Sequence, residues 1–198
     1  TCTAPDYVLA VGPAYDALVE QLPKAIAAFY GKNPSKSRDL GRIVNREHYD
    51  RVAGYLEQGT VLAGGNTDPE RLFIEPTVLV DVDPAAPVMR EEIFGPVLPI
   101  VTVASEEEAI ELANDSDFGL GASAWTNDAA EAERCAMELE AGLVFVNGMV
   151  ASDPRYPFGG VKASGYGREL SAVGLREFVN VKTVRVRRAA DRNETHTE

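Results

Sequence analysis

Short apolar runs alternate along this chain with stretches whose apolar residues recur every three or four positions, the pattern of strands separated by helices. Residues 7–11 form the first apolar run and end at Gly12-Pro13. A helix is predicted next, with Leu18, Leu22, Ala25, Ile26 and Phe29 on one stripe and a kink or break at Pro23. Asn33-Pro34-Ser35 opens a loop. Asn45 caps a second helix that turns Val52, Tyr55 and Leu56 inward and stops at Gly59. Residues 60–63 read as a strand, and residues 73–80 as an extended stretch that Pro76 places partly at a sheet edge.

Residues 97–103 make another strand, and Ser105-Glu106-Glu107-Glu108 is a capping box that turns Ala109, Ile110 and Ala113 inward. Residues 121–125 are predicted as a strand, and Asp128 as the cap of the following helix. Residues 143–146 are continuously apolar, as in a strand covered on both faces. A loop rich in Pro and Gly spans 149–167, a short helix covers about 171–178, and a last strand covers 179–186. The tail from Ala189 is polar and expected to be disordered. The order predicts an α/β fold, a mostly parallel sheet with flanking helices.

Composition narrows the possibilities. The 198 residues suffice for one domain with a real core or one domain plus an appendage, and no apolar run is long enough for a membrane helix. A net charge of −12 argues against a nucleic-acid partner. The charge is uneven: residues 1–154 hold 10 Lys/Arg against 26 Asp/Glu, and residues 155–188 hold 8 against 2. The basic end either docks on something acidic, such as another copy of the acidic body, or is a basic edge strand. Two distant cysteines outside any CxxC pair, and two histidines without ligand-like neighbours, give no metal site and fit a reduced, cytoplasmic setting. No signal peptide is visible, and the Thr-Cys beginning marks the chain as expected to be partial.

Four stretches could carry chemistry, each with a plainer alternative. Cys2 precedes a Thr-Ala-Pro turn and is either a reactive thiol or a small buried apolar group. Cys135 shares a helical stripe with Ala132, Ala136 and Leu139 and reads as core. Glu92 can accept two hydrogen bonds from a ligand diol or be a solvated charge before a turn, and Phe94 stacks on a ligand or fills core. Asn147 ends a strand, where α/β ligands sit, or forms a turn. Phe158-Gly159-Gly160 lets a substrate approach the backbone closely or acts as a hinge.

In their order and spacing these stretches resemble the aldehyde dehydrogenase superfamily over residues 1 to about 187. Thr1-Cys2-Thr3-Ala4-Pro5 is similar to the family's nucleophile turn, residues 91–96 to its E-E-x-F-G-P stretch, residues 143–147 to its strand ending in Asn, and residues 157–165 to its P-F-G-G-x-K-x-S-G loop. The resemblance implies that Cys2 is the nucleophile, attacking an aldehyde to give a thiohemiacetal and then a thioester that water hydrolyses, with its own N–H as half of an oxyanion site. It implies NAD or NADP as cofactor, with Glu92 on the nicotinamide ribose and Phe94 packed near that ring. Asn147 and Phe158 are then substrate-binding, Phe158 shaping the tunnel.

The same resemblance divides the chain into a catalytic domain over 1–178, an oligomerisation strand over 179–188 that builds homo-oligomers, and a tail over 189–198. It also implies that the dinucleotide-binding domain is missing, with the general-base Glu and an oxyanion Asn, so that these residues alone give negligible turnover. Residues 1 to about 103 are more similar to the branch acting on aromatic and long aliphatic aldehydes. From about 117 onward the chain is more similar to the succinate-semialdehyde and betaine-aldehyde branches. Two rivals are an acylating relative that passes the thioester to coenzyme A, and a non-catalytic remnant that pairs with full-length subunits.

Overall fold

The computed structural model describes residues 1–186. In chain order the strands are β1 (Val8–Val11), β2 (Thr60–Ala63), β3 (Thr67–Asp68), β4 (Phe73–Ile74), β5 (Thr77–Val80), β6 (Val97–Val103), β7 (Phe118–Gly119), β8 (Gly121–Ala124), β9 (Leu143–Val146) and β10 (Val161–Lys162). The helices are α1 (Pro13–Tyr30), α2 (Arg46–Gly54), α3 (Pro87–Arg90), α4 (Glu106–Asn114), α5 (Ala129–Glu138) and α6 (Ser171–Arg176).

The main sheet has the order β1-β6-β5-β2, with β1, β6 and β5 parallel and β2 antiparallel at one edge. Side chains on its strands alternate between two layers, as the pleat requires. Val78 and Ile100 face α1, where Leu18, Leu22 and Ile26 pack on them. Leu79, Val97 and Val101 face the other way, against Val52 and Tyr55 after α2, Val88 of α3, and Ile93. The prediction of a mostly parallel α/β sheet with flanking helices therefore holds. A smaller parallel pair, β8 with β9, and the antiparallel pairs β3–β4 and β7–β10 complete the strands.

All three anticipated caps form: Asn45 accepts from the His48 amide at 2.9 Å, Ser105 from Glu108 at 3.3 Å, and Asp128 from Ala130 at 2.7 Å. Several other expectations need correction. Pro23 does not break α1, which runs unbroken through it. Apolar contacts before and after the proline hold both halves on one sheet face, outweighing the roughly 3 kcal/mol an interior proline costs. Phe29 is 73% exposed rather than inward, because α1 runs past the packed Leu22 and Ile26 turns. Helix α2 ends at Gly54 and tightens into a 3-10 turn over Tyr55–Glu57, short of the expected stop at Gly59.

Pro76 divides β4 from β5 but does not make an edge: β5 lies inside the sheet with every residue buried, since its own amides begin only after the proline. Strand β9 is half-buried rather than covered on both faces, because β8 is its only strand partner among the described residues. Cys135 is likewise half-buried on α5, a helix with no fully buried residue. Residues 179–186 pair with no strand among the described residues, and Val179, Val181, Val184 and Val186 are exposed. Residues 187 and 188 of the expected oligomerisation strand, and the expected tail over 189–198, lie outside the described residues. No helix among the described residues is long and apolar enough to cross a membrane.

Candidate active site

Parallel neighbours bring together whatever precedes them. Since β1 and β6 are adjacent and parallel, with Val8 opposite Ile100, the segments leading into each enter at the same end of the sheet. One carries Cys2 and the other carries Glu91–Pro96. The link is explicit: the Ile93 amide donates to Asp6 Oδ1 at 3.0 Å. Cys2 itself sits in a turn closed by Ala4 N–H donating to the Thr1 carbonyl at 3.0 Å, and its side chain is exposed, not packed in hydrocarbon.

The second segment begins where α3 ends. Ile93 is fully buried and anchors it, while its neighbours Glu92 and Phe94 point outward. Phe94 has φ of 48°, an uncommon conformation for a bulky residue, and its ring is 59% exposed. Gly95 follows because a Cβ there would lie 2.7 Å from Val52 Cγ1. A grip on the other side holds the turn in this shape. Arg51 donates from Nη1 to the Glu92 carbonyl at 3.0 Å and from Nη2 to the Ile93 carbonyl at 2.9 Å. The same Nη1 reaches Tyr55 Oη at 2.7 Å, and Tyr55 donates to Glu91 Oε2 at 2.6 Å. Glu91 is thereby spent on structure. The Glu92 carboxylate has no hydrogen bond or ion pair among the described residues, and stands free beside an exposed ring.

Electrostatics pick out Asp6. Burial raises its pKa above the ordinary 3.8, the Ile93 amide opposes that shift, and the Glu92 carboxylate adds to it. A raised carboxyl pKa means that the ionised form costs native stability, a cost absent below the unfolded pKa and growing as pH rises through the folded one. Tyr7, Glu92 and Arg51 are the titratable and charged groups around it. Asp6→Asn is therefore expected to gain stability over the parent as pH rises from 3.8, with no gain below it. Urea melts across that range test this, and a stability difference that does not vary with pH would count against it.

The remaining candidates occupy a second region. Asn147, at the end of β9 with φ of 53°, accepts from the Thr126 amide at 3.0 Å and donates Nδ2–H to the Thr126 carbonyl at 2.8 Å. Its amide ties the ends of β8 and β9 together. Phe158 is buried and exchanges two 2.8 Å backbone hydrogen bonds with Glu169. No hydrogen bond or ion pair among the described residues joins Asn147 or Phe158 to Cys2, Glu92 or Phe94. An open depression of about 560 Å³ is lined by Asn114, Asp117, Glu140 and Lys162, and by none of the candidates. No group of three or more His, Cys, Asp or Glu among the described residues could hold a metal ion.

Sequence reasoning passed over Asp6, Arg51 and Tyr55 as functional groups. The one available signal was an acid four residues after Cys2 and just ahead of an apolar run. Arg51 and Tyr55 give none, since the carbonyls they serve are some forty residues away.

Known proteins resemble this chain in sequence and in fold. Residues 1–184 match the model of the aldehyde dehydrogenase family. The chain is 43% identical over 169 residues to a rat "Aldehyde dehydrogenase, dimeric NADP-preferring", covering 84% of this chain and 37% of that protein. It is 42% identical over 192 residues to a probable NADP(+) succinate-semialdehyde dehydrogenase of Synechocystis, covering 93% and 42%. Among solved structures, the substrate-bound state of Staphylococcus aureus AldH superposes with a TM-score of 0.86 at 36% identity, over 95% of this chain and 43% of that one. The chain thus spans about two fifths of the length of the relatives it matches. On the match of its residues 1–184 and on the likeness of its fold, this chain belongs to the aldehyde dehydrogenase family.

Proposed function

We propose that the chain supplies the nucleophile and part of the cofactor wall for NAD(P)-dependent oxidation of an aldehyde to a carboxylic acid. What supports the reading above all is the adjacency of the exposed Cys2 turn and the Glu92–Phe94 turn, joined through Asp6 and Ile93. The Cys2 thiolate attacks the carbonyl carbon. A C–S bond forms, the carbonyl electron pair moves onto oxygen, and that oxygen takes a proton to complete a thiohemiacetal. The Cys2 N–H is free to face the developing oxyanion.

The residues present fit a nicotinamide nucleotide: a carboxylate with unused acceptors suits a ribose diol, and an exposed ring beside it suits a flat partner. The chemistry such a cofactor supplies is acceptance of the hydride, which converts the thiohemiacetal to a thioester open to water. Relatives on both sides of the comparison are named for NADP, so NADP is the first cofactor to try and NAD the second. Asn147 and Phe158 act on the substrate side, Asn147 by holding the β8 and β9 ends and Phe158 by fixing the loop that carries it.

The test uses benzaldehyde and succinic semialdehyde, each labelled with 13C at the carbonyl. A protein-bound tetrahedral carbon seen by NMR with either one, beyond the free hydrate, is the expected result. No bound signal with either sinks the reading.

The exposed valines of residues 179–186 support a second proposal, that copies of the chain pair through residues 179–188. Native mass spectrometry that finds monomer at every concentration would dispose of it.

A further inference from the structure

The turn bearing Glu92 and Phe94 is held from two sides by groups outside it. Asp6 grips one of its amides, Ile93 N–H, which donates to Oδ1 at 3.0 Å. Arg51 grips its carbonyls, at Glu92 and Ile93. Asp6 and Arg51 thus hold the N–H and the C=O of one peptide group, Glu92–Ile93, and Arg51 also holds the carbonyl of the next, after which Phe94 takes a left-handed conformation. Left alone, such a conformation in a phenylalanine relaxes. Something must hold it.

Asp6 is costly to keep. It is a half-buried carboxyl whose ionised form burial disfavours, and the Glu92 carboxylate repels it. An acid retained at a cost in native stability belongs to the class of groups kept for function. Its position makes the role concrete: it is four residues from Cys2 on one segment and bonded to the neighbour of Glu92 on the other.

We infer that Asp6 is a positioning residue that, opposed by Arg51, fixes the Glu92–Phe94 turn against the Cys2 segment, so that nucleophile and cofactor wall share one rigid frame. This deepens the function proposed above and rests on it.

The experiment measures two quantities on the full chain, well below its unfolding temperature. The first is amide hydrogen exchange at Ile93 and Phe94, followed by NMR. The second is the NADP+ concentration that half-protects Cys2 from iodoacetamide. In Asp6→Ala, exchange at Ile93 is expected to rise about tenfold or more, as for loss of one charge-assisted bond, and the half-protecting concentration to rise with it. Asp6→Asn keeps an acceptor oxygen and is expected to stay within a few-fold of the parent in both. A residue that merely stabilised the fold would shift the unfolding temperature and leave the NADP+ half-point of the folded variant where it was. That result, or unchanged exchange at Ile93, overturns the inference.

Should Asp6→Ala not fold, Arg51→Lys serves, since one ammonium cannot repeat the two-carbonyl grip; unchanged exchange and half-point there also overturn it. A parent chain whose Cys2 gains no protection from NADP+ counts against the proposed function. The frame itself is then decided by the exchange rates alone.

Discussion

Cys2→Ser is expected to abolish the protein-bound tetrahedral carbon formed from labelled aldehyde, leaving only the signals of free aldehyde and its hydrate. The chain holds two thiols, and their surroundings differ enough to assign the adduct to one. Cys2 is exposed in the four-residue turn Thr1–Ala4. Cys135 is half-buried on α5, 3.5 Å from Glu106 Oε1, and burial first and that carboxylate second push its thiol up to about 11. At pH 8 a thiol with that pKa is ionised to roughly 0.1%, and only the thiolate attacks. Serine keeps the shape of Cys2 but replaces an ionisable thiol with a hydroxyl that needs a base to act. Cys135→Ser should therefore leave the adduct intact. Loss of the signal in Cys135→Ser, or its survival in Cys2→Ser, would refute the assignment of the nucleophile.

Gly142→Ala carries the largest expected effect on stability. A Cβ at Gly142 would lie 1.8 Å from the Gly159 carbonyl oxygen, 2.7 Å from its carbonyl carbon and 3.0 Å from Gly160 Cα. These are backbone atoms with no rotamer to move. The loop that carries Phe158 would have to lift from the start of β9, breaking the close approach that seats its ring. Overpacking of this kind costs about 3 kcal/mol, and more where backbone must shift. Gly148→Ala is the control, since nothing lies nearer than 3.9 Å to a Cβ there, and it should change stability by under about 1 kcal/mol. Urea unfolding compares the two. Equal midpoints would mean that the loop does not need to touch β9.

Gly142→Ala probes a contact between segments separated in the chain, and such separation explains which features could be anticipated. The helix caps at Asn45, Ser105 and Asp128 were legible because each side chain serves an amide two or three residues away. Most strands of the main sheet were legible from their apolar runs, and the family from the order of the four stretches, whereas the strand expected over 179–186 does not form among the described residues. Pro23 misled because its local penalty is opposed by packing on a sheet that its own helix does not reveal. Pro76 misled because β5 gains its central place from β6 and β2, both lying outside its own stretch of sequence. Asn147 gave no sign that both ends of its amide are taken up by Thr126.

By itself, then, the amino-acid order determined the alternation of strands and helices, the caps, and the four stretches able to carry chemistry, because each rests on side chains within one or two turns of one another. Only the tertiary structure decided that the segment carrying Cys2 meets the segment carrying Glu92, through the Asp6–Ile93 hydrogen bond, and that Arg51 bonds the Glu92 and Ile93 carbonyls. The reason is the parallel pairing of β1 with β6, which sets two segments some ninety residues apart at the same end of one sheet.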